Sequence, residues 1–234
     1  MRTALSTILA ALLLATAVPA AADPVPFAPD TNCTGSLGAV TVPGKLVVPA
    51  GATCTLSSTR VLGSVEIRLN ATLRATRINV AGDLLGTQAR LISVTGSSYV
   101  AGHTSLAKGV TVTFSGSTAF GGIELSENTG RATLTSATIT NGGAQVTKNR
   151  GATVHSNRVN ENLLVEQNTA GVSVRSNTIG DNLAVHKNTG GTVIASNRAS
   201  DNIDCSDNIP APTGSGNVAG ADGNGAKTGQ CAGL

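Results

Sequence analysis

Aromatic and charged side chains are both scarce in this sequence of 234 residues. It has no tryptophan, aromatic residues make up 2% of the chain, and charged residues make up 12%, against about 25% in a typical globular domain. Large aromatic side chains usually dominate a globular core, so this chain must bury small aliphatic groups in a regular arrangement. The net charge of +3 and the lack of a basic run give no support to a nucleic-acid partner.

Beyond residue 22 the sequence lacks an apolar run long enough to cross a membrane, so we expect no membrane span in the mature chain. Residues 1–22 combine a charged start at Arg2, an apolar run over Ala4–Val18 and small residues over 19–22. This order is typical of a secretory signal peptide that is removed before Asp23. The sequence therefore predicts a secreted, extracellular protein.

The four cysteines lack the spacing of a metal site, since no Cys-x-x-Cys or Cys/His pattern is present. They fall in two pairs, one near each end of the mature chain, as Cys33 with Cys54 and Cys205 with Cys231. Because export permits disulfides, we predict the bonds Cys33–Cys54 and Cys205–Cys231. Each closed loop is expected to stabilise the fold by roughly 3 kcal/mol.

An internal repeat is the strongest signal in the chain. A small turn-forming residue followed by an apolar segment recurs at intervals of 19 or 20 residues, at Gly44, Gly63, Gly82, Gly102, Gly122, Gly142, Asn162, Asn182 and Asn202. Each interval holds about three short segments with alternating apolar positions, which fit strands and are too short for helices. Such strands bury their apolar faces only when successive coils stack, at about 4.8 Å.

The repeat predicts an all-β fold, a right-handed parallel β-helix (solenoid) of about nine coils with a period of about 20 residues and disulfide-tied ends. The predicted organisation is a signal peptide at 1–22, an N-terminal cap at 23–43, the β-helix at 44–209 and a C-terminal capping tail at 210–234. We expect a monomer.

Aligned segments predict which side chains face the interior. Each has a central residue that is aliphatic and flanks that are mostly Ser or Thr, so the centre is placed inside and the flanks outside. The aligned segments are 55–57, 72–74, 93–95, 111–113, 133–135, 153–155, 173–175 and 193–195. Phe114 and Phe120 fall near inward positions and are predicted to lie in the core.

A column of asparagines recurs with the same period. Its members are Asn128, Asn149, Asn168, Asn188 and Asn208. Asparagine tolerates the left-handed conformations that sharp corners need, and stacked side-chain amides can hydrogen-bond along the column. We predict that these residues form the corners of the coils.

Two segments near the ends of the repeat carry a family resemblance. They are Gly51-Ala52-Thr53-Cys54-Thr55-Leu56 and the closing stretch from Asn208-Ile209-Pro210-Ala211-Pro212 to Gly229-Gln230-Cys231. From Cys33 to Cys231 the chain resembles small secreted right-handed parallel β-helix proteins of high-GC bacteria. The resemblance implies a fold and no activity. Larger proteins of the superfamily include pectate lyases, polygalacturonases and alginate epimerases, whose active-site motifs are not found here.

One acidic column offers candidate chemistry. Three carboxylates precede the anchor asparagines, and stacked carboxylates repel unless a cation lies between them. Calcium would suit them, and an arginine base would complete an arrangement that resembles pectate lyases in outline. The candidates are Glu161, Asp181 and Asp201 as metal ligands and Arg158, Arg175 or Arg198 as the base. The favoured interpretation is solvated corner charges that pair with neighbouring arginines.

Three other patterns receive structural interpretations. The outward Ser and Thr residues resemble the lattice of ice-binding solenoids, although they also fit ordinary strand propensity. Glu127, Lys148, Gln167, Lys187 and Asp207 form an outward column in which unlike charges neighbour one another. The histidines fall in different columns and are interpreted as isolated surface residues; they are His103, His155 and His186.

These observations favour a non-enzymatic exported β-helix without a cofactor, which acts as a structural module or binds a polysaccharide or the cell-envelope surface. The alternatives are a small calcium-dependent polysaccharide lyase and an ice-binding protein. Long solenoid faces suit long polymers, whereas Tyr99 is the one tyrosine available as a sugar platform.

Overall fold

The fold is taken from a computed structural model, which describes residues 28–221 and 223–234. The predicted signal peptide lies outside these residues. Within the described ranges the chain is all-β and winds as a right-handed parallel β-helix with a period of about 20 residues, as predicted. No helix in this part of the chain is long and apolar enough to cross a membrane.

Each coil contributes one short strand to each of three sheets. The strands are β1 (Thr31–Asn32), β2 (Ser36–Leu37), β3 (Thr41–Val42), β4 (Leu46–Val48), β5 (Thr53–Ser57), β6 (Arg60–Val61), β7 (Val65–Ile67), β8 (Thr72–Thr76), β9 (Asn79–Val80), β10 (Leu84–Thr87), β11 (Leu91–Thr95), β12 (Tyr99–Val100), β13 (Thr104–Ala107), β14 (Thr111–Ser115), β15 (Thr118–Ala119), β16 (Ile123–Ser126), β17 (Arg131–Thr135), β18 (Thr138–Ile139), β19 (Ala144–Thr147), β20 (Gly151–His155), β21 (Arg158–Val159), β22 (Leu163–Glu166), β23 (Val172–Arg175), β24 (Thr178–Ile179), β25 (Leu183–His186), β26 (Thr192–Ala195), β27 (Arg198–Ala199), β28 (Ile203–Ser206) and β29 (Lys227–Gly229).

Sheet A has 11 strands in the order β1-β4-β7-β10-β13-β16-β19-β22-β25-β28-β29. Sheet B has nine, in the order β2-β5-β8-β11-β14-β17-β20-β23-β26, and sheet C has nine, from β3 to β27. Within the range 23–43 that the sequence assigns to a cap, β1, β2 and β3 already pair with β4, β5 and β6. The helix consequently has about ten turns.

The inward column of sheet B shows how the coils stack. Val154 pairs with Val174, which pairs with Ile194, and all three are fully buried. The alignment of 72–74 and 111–113 with this column is wrong by two residues, because Ala75 and Phe114 occupy the positions opposite Val94. Side chains alternate with a period of two, so this slip leaves their inward or outward direction unchanged.

Two side chains differ in burial from the predictions. Phe114 is buried as expected, but Phe120 is 43% exposed, because it follows the inward Ala119 of β15 and alternation turns it outward. Thr72 was expected outside and is only 3% exposed, and Arg90 Nε lies 3.4 Å from its Oγ1.

Two buried ladders of asparagine side chains run along the corners of the helix. One, between sheets A and B, is Asn128, Asn149, Asn168, Asn188 and Asn208, and the other, between sheets B and C, is Asn157, Asn177, Asn197 and Asn217. In each ladder the backbone N–H and the side-chain amide of one asparagine both donate to the side-chain oxygen of the next, as from Asn157 to Asn177 Oδ1 at 3.0 and 2.9 Å. The predicted amide bonding is confirmed.

The left-handed corner conformation belongs to the residue before each ladder asparagine, so its assignment to the asparagine was wrong. These preceding residues are Glu127, Lys148, Gln167, Lys187 and Asp207, with φ from 53° to 57°, Ser156, Ser176 and Ser196, with φ from 55° to 57°, and Gly216, with a φ of 72°. The turn residue points outward, where many polar side chains are tolerated, while the asparagine that follows points inward and satisfies buried backbone groups.

Both predicted disulfides are present, with Cα–Cα distances of 5.5 Å for Cys33–Cys54 and 5.2 Å for Cys205–Cys231. Cys205 occupies the inward column after Val185, and Gly229 of β29 pairs with it. The tail therefore covers the last coil, where buried Cys231 closes the core.

Candidate functional site

A groove lies over the corner between sheets A and B in the last coils, and it has a volume of about 520 Å³. Gly171, Gly190 and Gly191 line it, with φ angles of 53°, 79° and 92° that favour glycine. Because the corner is built from these glycines, no side chains fill the space above it, and the surface is hollow there. Val193 of sheet B and Pro210 of the tail form apolar parts of its walls.

Arg131, the first residue of β17, closes one end of the groove. Its Nη1 donates to the carbonyl oxygens of Ala152 at 3.1 Å and Gly171 at 3.0 Å, and to Thr153 Oγ1 at 3.2 Å. Arg131 therefore spans two further coils and is fixed in place. It also lines a second hollow of about 250 Å³ together with Arg150, so the two hollows adjoin at a shared guanidinium.

His155, Ser173 and Arg175 form a polar cluster beside the groove. His155 pairs with Arg175 across β20 and β23, as the sequence predicts, and its Nε2 lies 2.7 Å from the Oγ of Ser173. Arg175 Nε donates to the same Oγ at 3.1 Å. Partial burial, and secondly the guanidinium of Arg175, lower the pKa of His155 below its ordinary value. The interpretation of His155 as an isolated residue was therefore wrong.

The candidate metal ligands Glu161, Asp181 and Asp201 stack at another corner, between sheets C and A. Glu161 Oε1 accepts a hydrogen bond of 2.8 Å from the backbone N–H of Gly142, and Asp181 Oδ2 lies 3.4 Å from the amide nitrogen of Asn162. Among the described residues no group of three His, Cys, Asp or Glu side chains is arranged to hold a metal ion.

The three candidate arginines are divided between two sheets. Arg158 and Arg198 lie in one column of sheet C with Thr178 between them, whereas Arg175 lies on sheet B. The ion pairs found in the described part of the chain do not join Arg158 or Arg198 to the acidic column. The expected pairing of these corner charges is absent there, and hydrogen bonds from amide and backbone donors take its place.

The outward hydroxyl array occupies the middle of sheet B. Thr113, Thr133, Thr153 and Ser173 follow one another in register. In the next column Thr135 Oγ1 and Ser115 Oγ lie 2.9 Å apart and bond each other. His155 and Arg175 continue that second column, so the hydroxyl lattice is short and ends at an imidazole and a guanidinium.

The remaining singled-out residues form local pairs on sheet A. Lys187 Nζ lies 3.0 Å from Glu166 Oε1, and His186 Nε2 lies 2.9 Å from Asp204 Oδ2. Lys187 thus pairs with a residue of β22, whereas the sequence predicts its partner among its neighbours in the outward column that runs from Glu127 to Asp207. His103 Nδ1 lies 3.1 Å from the carbonyl oxygen of Gly121 on the surface.

The groove is the feature that sequence reasoning missed, although a signal for it is present. Gly130, Gly151, Gly171 and Gly191 recur at intervals of 20 or 21 residues, and their lack of side chains leaves the surface hollow there. Comparison with protein-family models, with curated proteins and with solved structures found no match to this chain.

Proposed function

We propose that this chain is an exported β-helix module that binds an acidic extracellular polysaccharide across sheet B and the adjoining groove. The proposal includes export through residues 1–22, action as a monomer outside the cell, and kinship with the secreted β-helix proteins that the chain resembles. Two disulfides are compatible with that compartment.

The uneven distribution of carboxylates carries this proposal. The strands of sheet A contain Glu66, Glu124, Glu166 and Asp204. The described strands of sheet B contain no Asp or Glu, and their ionisable side chains are Arg74, Arg131, His155 and Arg175. The strands of sheet C in the same described ranges likewise contain no Asp or Glu and carry Arg60, Arg158 and Arg198. With a net charge of only +3, the chain thus confines its strand carboxylates to sheet A, and of the two cationic sheets only sheet B contributes residues to the groove.

The groove gives this face the shape to hold a polymer. Arg131 and Arg150 supply cationic groups at one end, and guanidinium groups bind carboxylates with paired hydrogen bonds. Val193 and Pro210 supply apolar surface for the C–H faces of sugar rings. Tyr99 is 36% exposed but belongs to sheet C, so sheet B lacks an aromatic platform and charge is left as the main source of affinity.

Binding to polygalacturonate and to its fully methyl-esterified form tests the proposal, because the two polymers share a backbone and differ in charge. We expect calorimetry to detect the acidic polymer only, with an affinity that falls as salt is raised. Arg150→Gln should weaken binding about tenfold, the loss expected for one charge-assisted hydrogen bond. The control Arg158→Gln, on sheet C, should bind as the unaltered chain does.

Equal binding of both polymers would show that charge does not determine recognition, and failure to bind either polymer would refute the proposal. A calcium-dependent rise in the absorbance of unsaturated products would instead favour the lyase alternative. The same titration with the Ala211→Phe variant, which places a large side chain in the groove, tests whether the groove contributes to binding in addition to the flat face of sheet B. Its matched control is Ala184→Phe on sheet A.

A further inference from the structure

A serine hydroxyl at the edge of the groove has the surroundings of a nucleophile. Ser173 lines the groove, and its Oγ contacts His155 Nε2 at 2.7 Å and Arg175 Nε at 3.1 Å. The contact arises from register, because His155 lies opposite Arg175 and therefore diagonally across from Ser173, within reach of a long side chain.

The hydrogen-bonding capacity of Arg175 sets the direction of its bond to Ser173, and the tautomer of His155 sets the direction of the other bond. A guanidinium nitrogen can only donate, so Arg175 donates to Ser173 Oγ and leaves the hydroxyl hydrogen available. Burial and the Arg175 charge lower the pKa of His155 and so favour its neutral form, and in the tautomer that carries its hydrogen on Nδ1 the ring accepts the serine hydrogen at Nε2. The arrangement is a hydroxyl bonded to a base, with a cation that favours negative charge on its oxygen.

We infer that Ser173 is a nucleophile for acyl transfer from carboxylic esters, with His155 as its general base. Ser173 Oγ would attack the ester carbonyl carbon while its proton passes to His155 Nε2. The carbon–oxygen bond to the alcohol then breaks, and that alcohol takes the proton from His155. Water, deprotonated by the same ring, would release the acid and restore the hydroxyl.

The surroundings also define the class of ester. Val193, Pro210 and Ala211 give the groove apolar walls beside Ser173, which suit a short acyl chain. Arg175 contacts the attacking Ser173 Oγ, and its guanidinium would stabilise the negative charge that develops on the adjacent carbonyl oxygen. An O-acylated polysaccharide satisfies both this inference and the proposed function, but reactivity of Ser173 does not depend on binding of the polymer.

Covalent labelling of the full mature chain with a fluorophosphonate, mapped by peptide mass spectrometry, tests the inference. We expect an adduct on Ser173 and none on Ser93, an outward serine of the same sheet that lies four coils earlier along the stack and makes no hydrogen bond to a histidine among the described residues. The rate should fall as pH drops below about 6.5, the ordinary histidine value, because the neutral form of His155 is the base. His155→Gln should slow labelling about 100-fold, and Ser173→Ala should abolish it.

Hydrolysis of p-nitrophenyl acetate provides a second readout with the same variants, and circular dichroism verifies that each is folded. Labelling of Ser173 no faster than Ser93, or a rate unchanged by His155→Gln, would overturn the inference. Either result could coexist with normal binding of polygalacturonate, so failure of the nucleophile and failure of the proposed binding function remain distinguishable.

Discussion

Replacement of Asn177 by alanine is expected to remove four hydrogen bonds from the interior of the helix. Asn177 Nδ2 donates to the carbonyl oxygen of Val154 and to Asn197 Oδ1, both at 2.8 Å. Its own Oδ1 accepts the backbone and side-chain N–H groups of Asn157. Asn177 is 1% exposed, so water has little access to replace these partners. At about 1 kcal/mol for each bond, the substitution should lower the free energy of unfolding by about 4 kcal/mol.

Asn182 offers a matched control in the same coil. It takes part in a second row of asparagines with hydrogen bonds of 3.1 to 3.4 Å to Asn162, Asn202 and Asp201. This row lies at the surface, where water replaces lost partners, so Asn182→Ala should cost less than about 1 kcal/mol. Urea unfolding with the disulfides intact measures both values by linear extrapolation. Equal losses for the two variants would refute the argument that burial makes the inner ladder decisive.

Three further predictions concern the core, the cluster and the cap. Phe114→Ala should lower the free energy of unfolding by about 3–5 kcal/mol and Phe120→Ala by less than about 0.5 kcal/mol; similar denaturation midpoints would contradict this contrast. Because the folded chain holds the pKa of His155 below its unfolded value, this residue should reduce stability as pH falls through about 6.5, and His155→Gln should remove that part of the pH dependence in thermal melts. Cys205→Ser should raise amide exchange in β28 and β29, and unchanged exchange would show that the bond contributes little.

The sequence was sufficient for the fold because each coil repeats the same local chemistry. Val154, Val174 and Ile194 are separated by 20 residues and lie opposite one another in register, so the period alone places them. In the two misaligned segments the residues opposite Val94 are Ala75 and Phe114, two positions beyond the Leu73 and Val112 that the sequence suggested. A slip of two residues keeps the inward or outward direction of the side chains, with buried Thr72 as the exception in exposure. Hydrophobic alternation therefore predicts whether a side chain points inward or outward more reliably than it predicts which residue of the next coil lies opposite.

The site was harder to predict because it depends on contacts between coils. The contact between His155 and Ser173 is diagonal, and its 2.7 Å distance depends on side-chain rotamers that no repeat specifies. Glu161 illustrates the opposite error, since its column is real but a backbone N–H occupies the place expected for an arginine. The repeat in the sequence predicts which residues stack above one another. Hydrogen bonds between side chains of neighbouring columns can be identified only from the three-dimensional structure.

The tail follows one more turn over the final coil, through bridges of Thr189 with Ile209, Val193 with Thr213 and Arg198 with Val218. It contains Pro210 and Pro212, which lack an N–H to offer a further strand. The two prolines therefore disfavour a further coil at this end, whereas a whole unit inserted inside the array keeps the same closing segment. Each insertion would lengthen every sheet by about 4.8 Å, so under the proposed binding function the number of units would set the length of polymer that sheet B contacts.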